Sequence, residues 1–345
     1  MNNPEVDWVA AGPDSAAKNF RTSDVGGQGT THDVVPSFVE RRLAENWSGM
    51  LLRVQGEDGG FGAAPGLPSN TEATALAFLA LGAAGGGEVA DSRRRARDWL
   101  RTRQRPDGAW PLTEDVDQAS WATTLALLAL LDASPSESSP AGSGSLQRGG
   151  EWLVGRKGRR FSWRTTILNR LSGALELDGR LVGWPWHAES FSWVEPTALA
   201  LLTLKRLRSH TNLPGADARI EAGERLLWDR MCKGGGWNYG NSVVLGEELE
   251  PYPDVTAIAL IALQDAPGDP RVGRSLDALE HLLAADASGL ALSWGALCFA
   301  LHGRPLAELH ARLVRRFEER SFLGETRTTA LALLSLGAGA QAFRI

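Results

Sequence analysis

The chain has 345 residues, 43% of them hydrophobic and 22% charged, with a formal net charge of −5. That size and polarity suit a soluble globular protein, and the acidic balance leaves no basic face for nucleic acid. Cys232 and Cys298 are the only cysteines, and with no CxxC pair they build no disulfide framework, which favours a reducing, cytoplasmic setting.

Residues 1–36 are polar, rich in Gly and Asp and without periodicity, so they read as a flexible tail preceding one domain at 37–345. Pro36 and Ser37 open a helix whose charges and apolar residues alternate at helical spacing. QGEDGGFG (55–62) breaks it. NTEATALAFLALG (70–82) follows as a second helix, apolar nearly all round and stopped by Gly82. A charged helix over 91–104, the turn QRPDGAW and an apolar helix running from about Ala119 to Leu131 repeat the pair. Pro106 sets the first corner of that turn and Gly108 closes it. The Ser/Pro/Gly run at 134–145 reads as a flexible loop. Two short helical stretches fill the less regular 146–192, which ends in GWPWH (183–187). Apolar helices recur at 191–207, 251–263, 290–303 and 326–337, each partnered by an amphipathic one.

Six amphipathic helices thus alternate with six nearly all-apolar ones, at a period of about fifty residues. A helix apolar on every side needs partners on every side, whereas an open solenoid predicts a stripe. Two concentric rings satisfy this, so the expected fold is all-α: an α/α toroid with apolar helices inside. The 39 Gly and 13 Trp, set against 2 Tyr, gather in the turns between helices. No basic start followed by an apolar core opens the chain, and no run of about eighteen apolar residues could span a membrane. Any membrane contact is expected to be peripheral, with the irregular 146–192 as its source.

The QRPDGAW turn, its variants QGEDGGFG and KGGGWNYG, and the T-A-L-A-L-L helix after each turn resemble the QW repeat of squalene–hopene cyclases and their relatives. The resemblance covers about 37–345. It implies the toroid shared by class II terpenoid cyclases and the β subunits of protein prenyltransferases. It also implies a structural role for Phe61, Trp110, Trp163 and Trp237, whose rings would stitch neighbouring helix ends together.

In class II cyclases one Asp of a DxDD-type motif protonates an alkene or epoxide. An alkene is a very weak base, so the acid must be protonated, poorly solvated and walled by aromatic faces that shield the cation. The best string match is DVDQA (115–119), which places Asp117 as the acid. It departs from the pattern at Gln118, and it lies well before Thr123 and Thr124, where capping of the helix is the competing role. Judged by register, two residues before the Thr of the inner helix, the matching acids are Glu72, Glu195 and Asp254. A carboxylate in the first turn of a helix is favoured by the dipole, which would lower its pKa, so capping is the plain alternative for at least two of them. Aromatic neighbours single out Glu195, with Trp186 and Trp193 before it, and Asp254, with Trp237, Tyr239 and Tyr252 upstream. These five, with His187 after the GWPW turn, are the expected substrate-binding residues.

Zinc-dependent prenyl transfer is disfavoured. Thr256 stands where that family's Cys follows the Asp, and TRTTALALL (326–334) contains no His, so no metal or other cofactor is expected. WNYGN (237–241) is weakly similar to the metal motif of lanthionine cyclases, but Asn238 replaces the ligand Cys. Two readings stay open. One is an isoprenoid cyclase. The other is a non-catalytic toroid that binds an isoprenoid, a lipid or a protein. The chain is about half the length of two-domain cyclases, so a single barrel needs its own pocket, a partner chain or a second copy of itself.

Overall fold

A computed structural model describes residues 38–84, 86–133, 140–162, 164–165, 177–285 and 288–345. The expected tail at 1–36 and Trp163 lie outside these residues, as does most of the second helical stretch expected within 146–192. The helices fall into six pairs among the described residues: α1 (Phe38–Val54) with α2 (Thr71–Gly82), α3 (Gly87–Thr102) with α4 (Thr123–Asp132), α5 (Pro140–Gly155) with α6 (Val194–Leu207), α7 (Ala216–Asp229) with α8 (Pro253–Ala262), α9 (Pro270–Ala284) with α10 (Gly289–His302), and α11 (Ala307–Arg320) with α12 (Thr326–Leu334).

The even-numbered helices are the inner ring, each packed against the next, and α12 returns to α2 to close it. Four of them, α2, α4, α8 and α12, are built largely from Ala, Leu, Ile and Thr and are mostly buried beyond their first turn; α6 adds Lys205 and Arg206 near its end, and α10 carries Ser293, Trp294, Cys298 and Phe299. Each odd-numbered helix from α3 on packs against the inner helix before it, and α1 packs against α12. Closure is reinforced by Trp47 of α1, whose ring lies 5.8 Å from Phe317 and 5.9 Å from Phe322. Thr326 also donates its backbone N–H to Ala63 at 2.9 Å. The toroid expected from the helical alternation is therefore the observed fold.

Two local expectations differ. The run 134–145 is not all loop, because α5 already begins at Pro140, and a proline is at home in the first turn, where no N–H is needed. The Ser145 carbonyl in this helix accepts from Gln104 at 2.9 Å, which ties α5 to the preceding turn. Helix α4 begins at Thr123 rather than near Ala119, with Ala122 at its cap position.

One end of the inner ring is filled by residues 339–345. Phe343 is fully buried with its ring 5.7 Å from Trp294, and its carbonyl accepts from Gln264 just past the end of α8. The guanidinium of Arg206, near the end of α6, bonds the Ala342 carbonyl. Residues 339–345 thus cover C-terminal ends of inner helices. Among the described residues no helix is long and apolar enough to cross a membrane.

Candidate active site

The rim is built by one device used four times. A turn residue donates its backbone N–H to the hydroxyl of a Thr in the first turns of the inner helix: Phe61 to Thr74 at 2.9 Å, Trp110 to Thr123 at 2.9 Å, Trp184 to Thr197 at 3.0 Å and Trp237 to Thr256 at 2.9 Å. The three indoles then donate to carbonyls of outer helices, Leu100, Leu153 and Leu227, at 2.6–2.8 Å. Gln55 and Gln104 each bridge their own turn to the next outer helix, through Gly59 and Ser92 and through Gly108 and Ser145. These buried polar groups are all satisfied, so the turns hold the inner helices in a common register. Pro196 and Pro253 fit the first turns of α6 and α8 without losing a helical bond.

That register decides which side chains meet. The residue two positions before the anchoring Thr is Glu72 on α2, Trp121 in the turn just before α4, Glu195 on α6 and Asp254 on α8, and Arg327 stands two before Thr329 on α12. Arg327 pairs with Glu72 at 3.3 Å and with Glu325 at 3.3 Å. Although burial works against its charge, the carboxylates of Glu72, Glu325 and Glu195 hold Arg327 more firmly protonated than usual. Burial pushes the Glu72 carboxyl up, and Arg327 only partly opposes this.

Glu195 is the outlier. Burial and then the negative charge of Asp254 push its carboxyl up to about 8, with Arg327 opposing. It is therefore mostly a neutral carboxylic acid at pH 7. Among the described residues no hydrogen bond reaches that carboxyl. The dipole argument that would keep a first-turn carboxylate ionised loses here, because desolvation and a like charge together outweigh a half-charge at a helix end. Nor do these acids cap their helices. Asn70 caps α2 through Ala73 N–H at 2.8 Å, and α6 and α8 start without a side-chain cap.

Aromatic rings border the pair. The Tyr239 hydroxyl donates to Asp254 Oδ2 at 3.3 Å, and its ring lies 5.2 Å from that of Tyr252. Burial and the carboxylates of Asp254 and Glu195 push the Tyr239 phenol up to about 12, so it stays a donor. Trp186 meets Trp121 edge-on at 4.9 Å. Trp193, Tyr239 and Tyr252 form part of the wall of an open cleft of about 480 Å³, which neither Glu195 nor Asp254 lines.

The predicted site residues separate accordingly. Glu195, Asp254 and Tyr239 come together, and Tyr239, Tyr252 and Trp193 line the cleft. Trp186 stands beside the rim on Trp121. His187 is exposed on its turn. Trp237 is fully buried with its indole N–H already bonded, which leaves no face for a ligand and makes it a stitching residue. Asp117 is 81% exposed and ion-paired with Arg105 on the loop before α4. It does not cap that helix, because the helix starts six residues later. Arg327 and Trp121 were missed, although their register relative to Thr329 and Thr123 is written in the sequence. Cys232 and Cys298 are both buried free thiols, and no group of three or more metal-ligating side chains is assembled among the described residues.

No protein-family model matches the chain, and no curated protein matches it by sequence. Solved structures do match. The type II terpene cyclase MstE from Scytonema is similar over 89% of this chain and 100% of its own, at 15% identity and a TM-score of 0.57. That enzyme has been seen with geranylgeranyl dihydroxybenzoate as substrate and merosterolic acid A as product. A protein from Actinoplanes is similar over 88% of this chain and 99% of its own, at 17% identity and a TM-score of 0.58. An alpha-amylase from Clostridium perfringens reaches the same score over 88% of this chain and 98% of its own, at 11% identity. At such identities the likeness is one of fold, and the fold serves more than one chemistry.

Proposed function

We propose that the protein is a class II terpenoid cyclase-like enzyme, in which residues 37–345 act as one toroid domain and Glu195 is the Brønsted acid. The Glu195 carboxyl carries this reading: it is neutral near pH 7, without a hydrogen bond among the described residues and set beside a second carboxylate at an aromatic-bordered rim. In the reaction the Glu195 O–H gives its proton to the terminal alkene or epoxide of a linear isoprenoid. The alkene's electron pair becomes the new C–H bond, and the cation left behind is attacked by the next alkene along the chain. Loss of a proton from the last cation ends the sequence, so no co-reactant is consumed. Asp254 serves by its charge, which keeps the proton on Glu195 until substrate arrives, and Tyr239 orients Asp254 through its hydroxyl. The rings of Trp193, Tyr239 and Tyr252 supply cation–π stabilisation to the intermediates.

The MstE likeness supports this reading at the level of fold, and the geometry supports it at the level of the acid. Incubation of the purified protein with linear isoprenoids from farnesyl to squalene length, as alcohols, aryl conjugates and diphosphates, tests it by mass spectrometry and NMR of the products. Cyclised product that disappears in Glu195→Gln is the expected result. Cyclised product that survives Glu195→Gln would overturn the assignment of the acid, and no product from any of these chains would overturn the reaction.

A carboxylic acid beside a carboxylate would also suit glycoside hydrolysis, the chemistry for which the amylase neighbour is named. Release of reducing sugar from starch, abolished by Glu195→Gln, is the outcome that would favour it.

A further inference from the structure

We infer that Glu72 is a positioning residue for the acid: by occupying Arg327 it keeps that cation out of contact with Glu195, an inference that rests on the cyclase reading of Glu195. Three carboxyls act on the charge of Arg327, those of Glu72, Glu325 and Glu195. Two of them hold it by contact, one on each terminal nitrogen. Nη1 pairs with Glu72 Oε1 at 3.3 Å and Nη2 with Glu325 Oε1 at 3.3 Å. Glu195 feels Arg327 through its charge alone. The backbone fixes this division of the rim. The first turn of α12 is tied to the segment before α2, where the Thr326 N–H donates to the Ala63 carbonyl at 2.9 Å. The start of α2 is set by its Asn70 cap and by the Thr71 N–H on the Leu112 carbonyl at 2.9 Å. Across the ring the Val194 N–H donates to the Tyr239 carbonyl at 3.0 Å, and Tyr239 bonds Asp254. Glu195 is thus built onto the Asp254 side of the rim and Arg327 onto the Glu72 side.

Of the two ion pairs, that with Glu72 is the better shielded from water, its side chain being 20% exposed against 39% for Glu325, so solvent weakens its attraction less. Glu325 also accepts from the Thr328 hydroxyl. An arginine stays charged at any working pH, and a partly buried one is costly to leave without its counter-charge. With Glu72 removed, the one acting carboxyl not already bonded to Arg327 is Glu195. The Arg327 Nε–H lacks an acceptor among the described residues, so the guanidinium has a further donor to offer. A cation in contact lowers a carboxyl pKa by about 1–3 units, and an acid that has given up its proton to such a pair cannot protonate an alkene. The other groups near Glu195 do not take the place of Arg327. Asp254 has the wrong sign, the Tyr239 phenol stays neutral, and the segment leading into α4 brings Trp121, which does not titrate. Arg156 past α5 and the Asp229–Arg230 pair at the end of α7 belong to the outer helices packed on α6, whereas the charges acting on Glu195 are those of Asp254, Arg327 and Glu72.

Carbon-13 NMR of the glutamate carboxyls tests this without a substrate, the Glu195 signal being assigned by its loss in Glu195→Gln. In the wild-type protein that signal should titrate near pH 8. In Glu72→Met, which keeps the length of the side chain and removes the acceptor, its midpoint should fall by about 1–3 pH units. In Glu72→Met combined with Arg327→Gln it should return to the wild-type value or rise above it. Glu72→Ala serves in the same way if the Met variant does not fold. A smaller fall or none in the Glu72 variants, or a fall that persists in the absence of Arg327, would overturn the proposal, because a merely structural Glu72 would not move this titration through Arg327. A protein in which the midpoint falls and is rescued in this way, yet which cyclises no isoprenoid, would keep the positioning role of Glu72 and lose the cyclase.

Discussion

The sharpest consequence of the rim geometry is that Glu195 should make the protein less stable as pH rises. Its carboxyl sits at about 8 in the folded state against an ordinary value of 4.5. A group whose folded pKa is raised holds its proton through a window in which the unfolded chain has already lost it. Its contribution is therefore fully present below about pH 4.5 and is lost progressively as pH rises through about 8. A tenfold change in an ionisation constant is worth about 1.4 kcal/mol. The full rise of the Glu195 pKa therefore sets an upper bound of about 5 kcal/mol, and roughly half of that is reasonable once screening of the partly open carboxyl is allowed for. Glu195→Gln removes the ionisation and leaves the shape. The variant should melt close to wild type at pH 4.5 and several degrees above it at pH 9, with the gap opening between. In parallel, any cyclase turnover should follow the protonated fraction, about nine-tenths at pH 7 and about one-tenth at pH 9. Scanning calorimetry over that range, on both proteins, decides the matter. A gap that does not change with pH would mean that Glu195 ionises normally, and the acid assignment would go with it.

Three further outcomes follow from the same contacts. The neighbours of Glu195 should move its titration in opposite directions: Asp254→Asn should lower the midpoint of the alkaline limb and Arg327→Gln should raise it, as read from the pH dependence of turnover or of the melting gap. Thr256→Val keeps the shape but leaves the Trp237 N–H buried without an acceptor, at a cost of about 1–3 kcal/mol; Thr256→Ser should recover most of it in urea denaturation. Gly108 sits at φ +90 with the Arg148 carbonyl oxygen 2.4 Å from where a Cβ would be, so Gly108→Ala should cost roughly 2 kcal/mol or more, visible as a lowered melting temperature.

Most of the fold was legible because the inner helices carry an unusual signature. TALAFLAL, TTLALLAL and TAIALIAL have no polar face beyond their first turn, and only a closed ring can surround such helices. The polar anchors were legible in part. Gln55 and Gln104 precede turns of one pattern, and the structure shows each reaching its own turn and the next outer helix. The start of α5 was not legible, since Pro140, Gly142 and Gly144 have the composition of a loop. Tertiary bonds between Gln104 and Ser145 and packing on α4 and α6 hold that segment as a helix, an instance of context overriding propensity.

The chemistry was legible as a register and hidden as a pKa. The spacing of acid to Thr picked out Glu72, Glu195 and Asp254 and set aside Asp117, whose string matched better but whose side chain ends on Arg105 at the surface. What spacing does not contain is the distance between carboxyls on helices that are far apart in sequence. Asp254 lies 59 positions after Glu195, and only closure of the ring sets its charge against that acid. Three first-turn carboxylates with the same local sequence logic thus acquire different environments: Glu72 faces Arg327 and is an ion-pair partner, Asp254 accepts from Tyr239, and Glu195 has no bonded partner among the described residues. A toroid that repeats one register around a ring places like charges face to face unless the chain varies that position. This chain varies it, with Trp121 just before α4 and Arg327 on α12. The uncompensated stretch between α6 and α8 is where a proton is held and where its donation is expected.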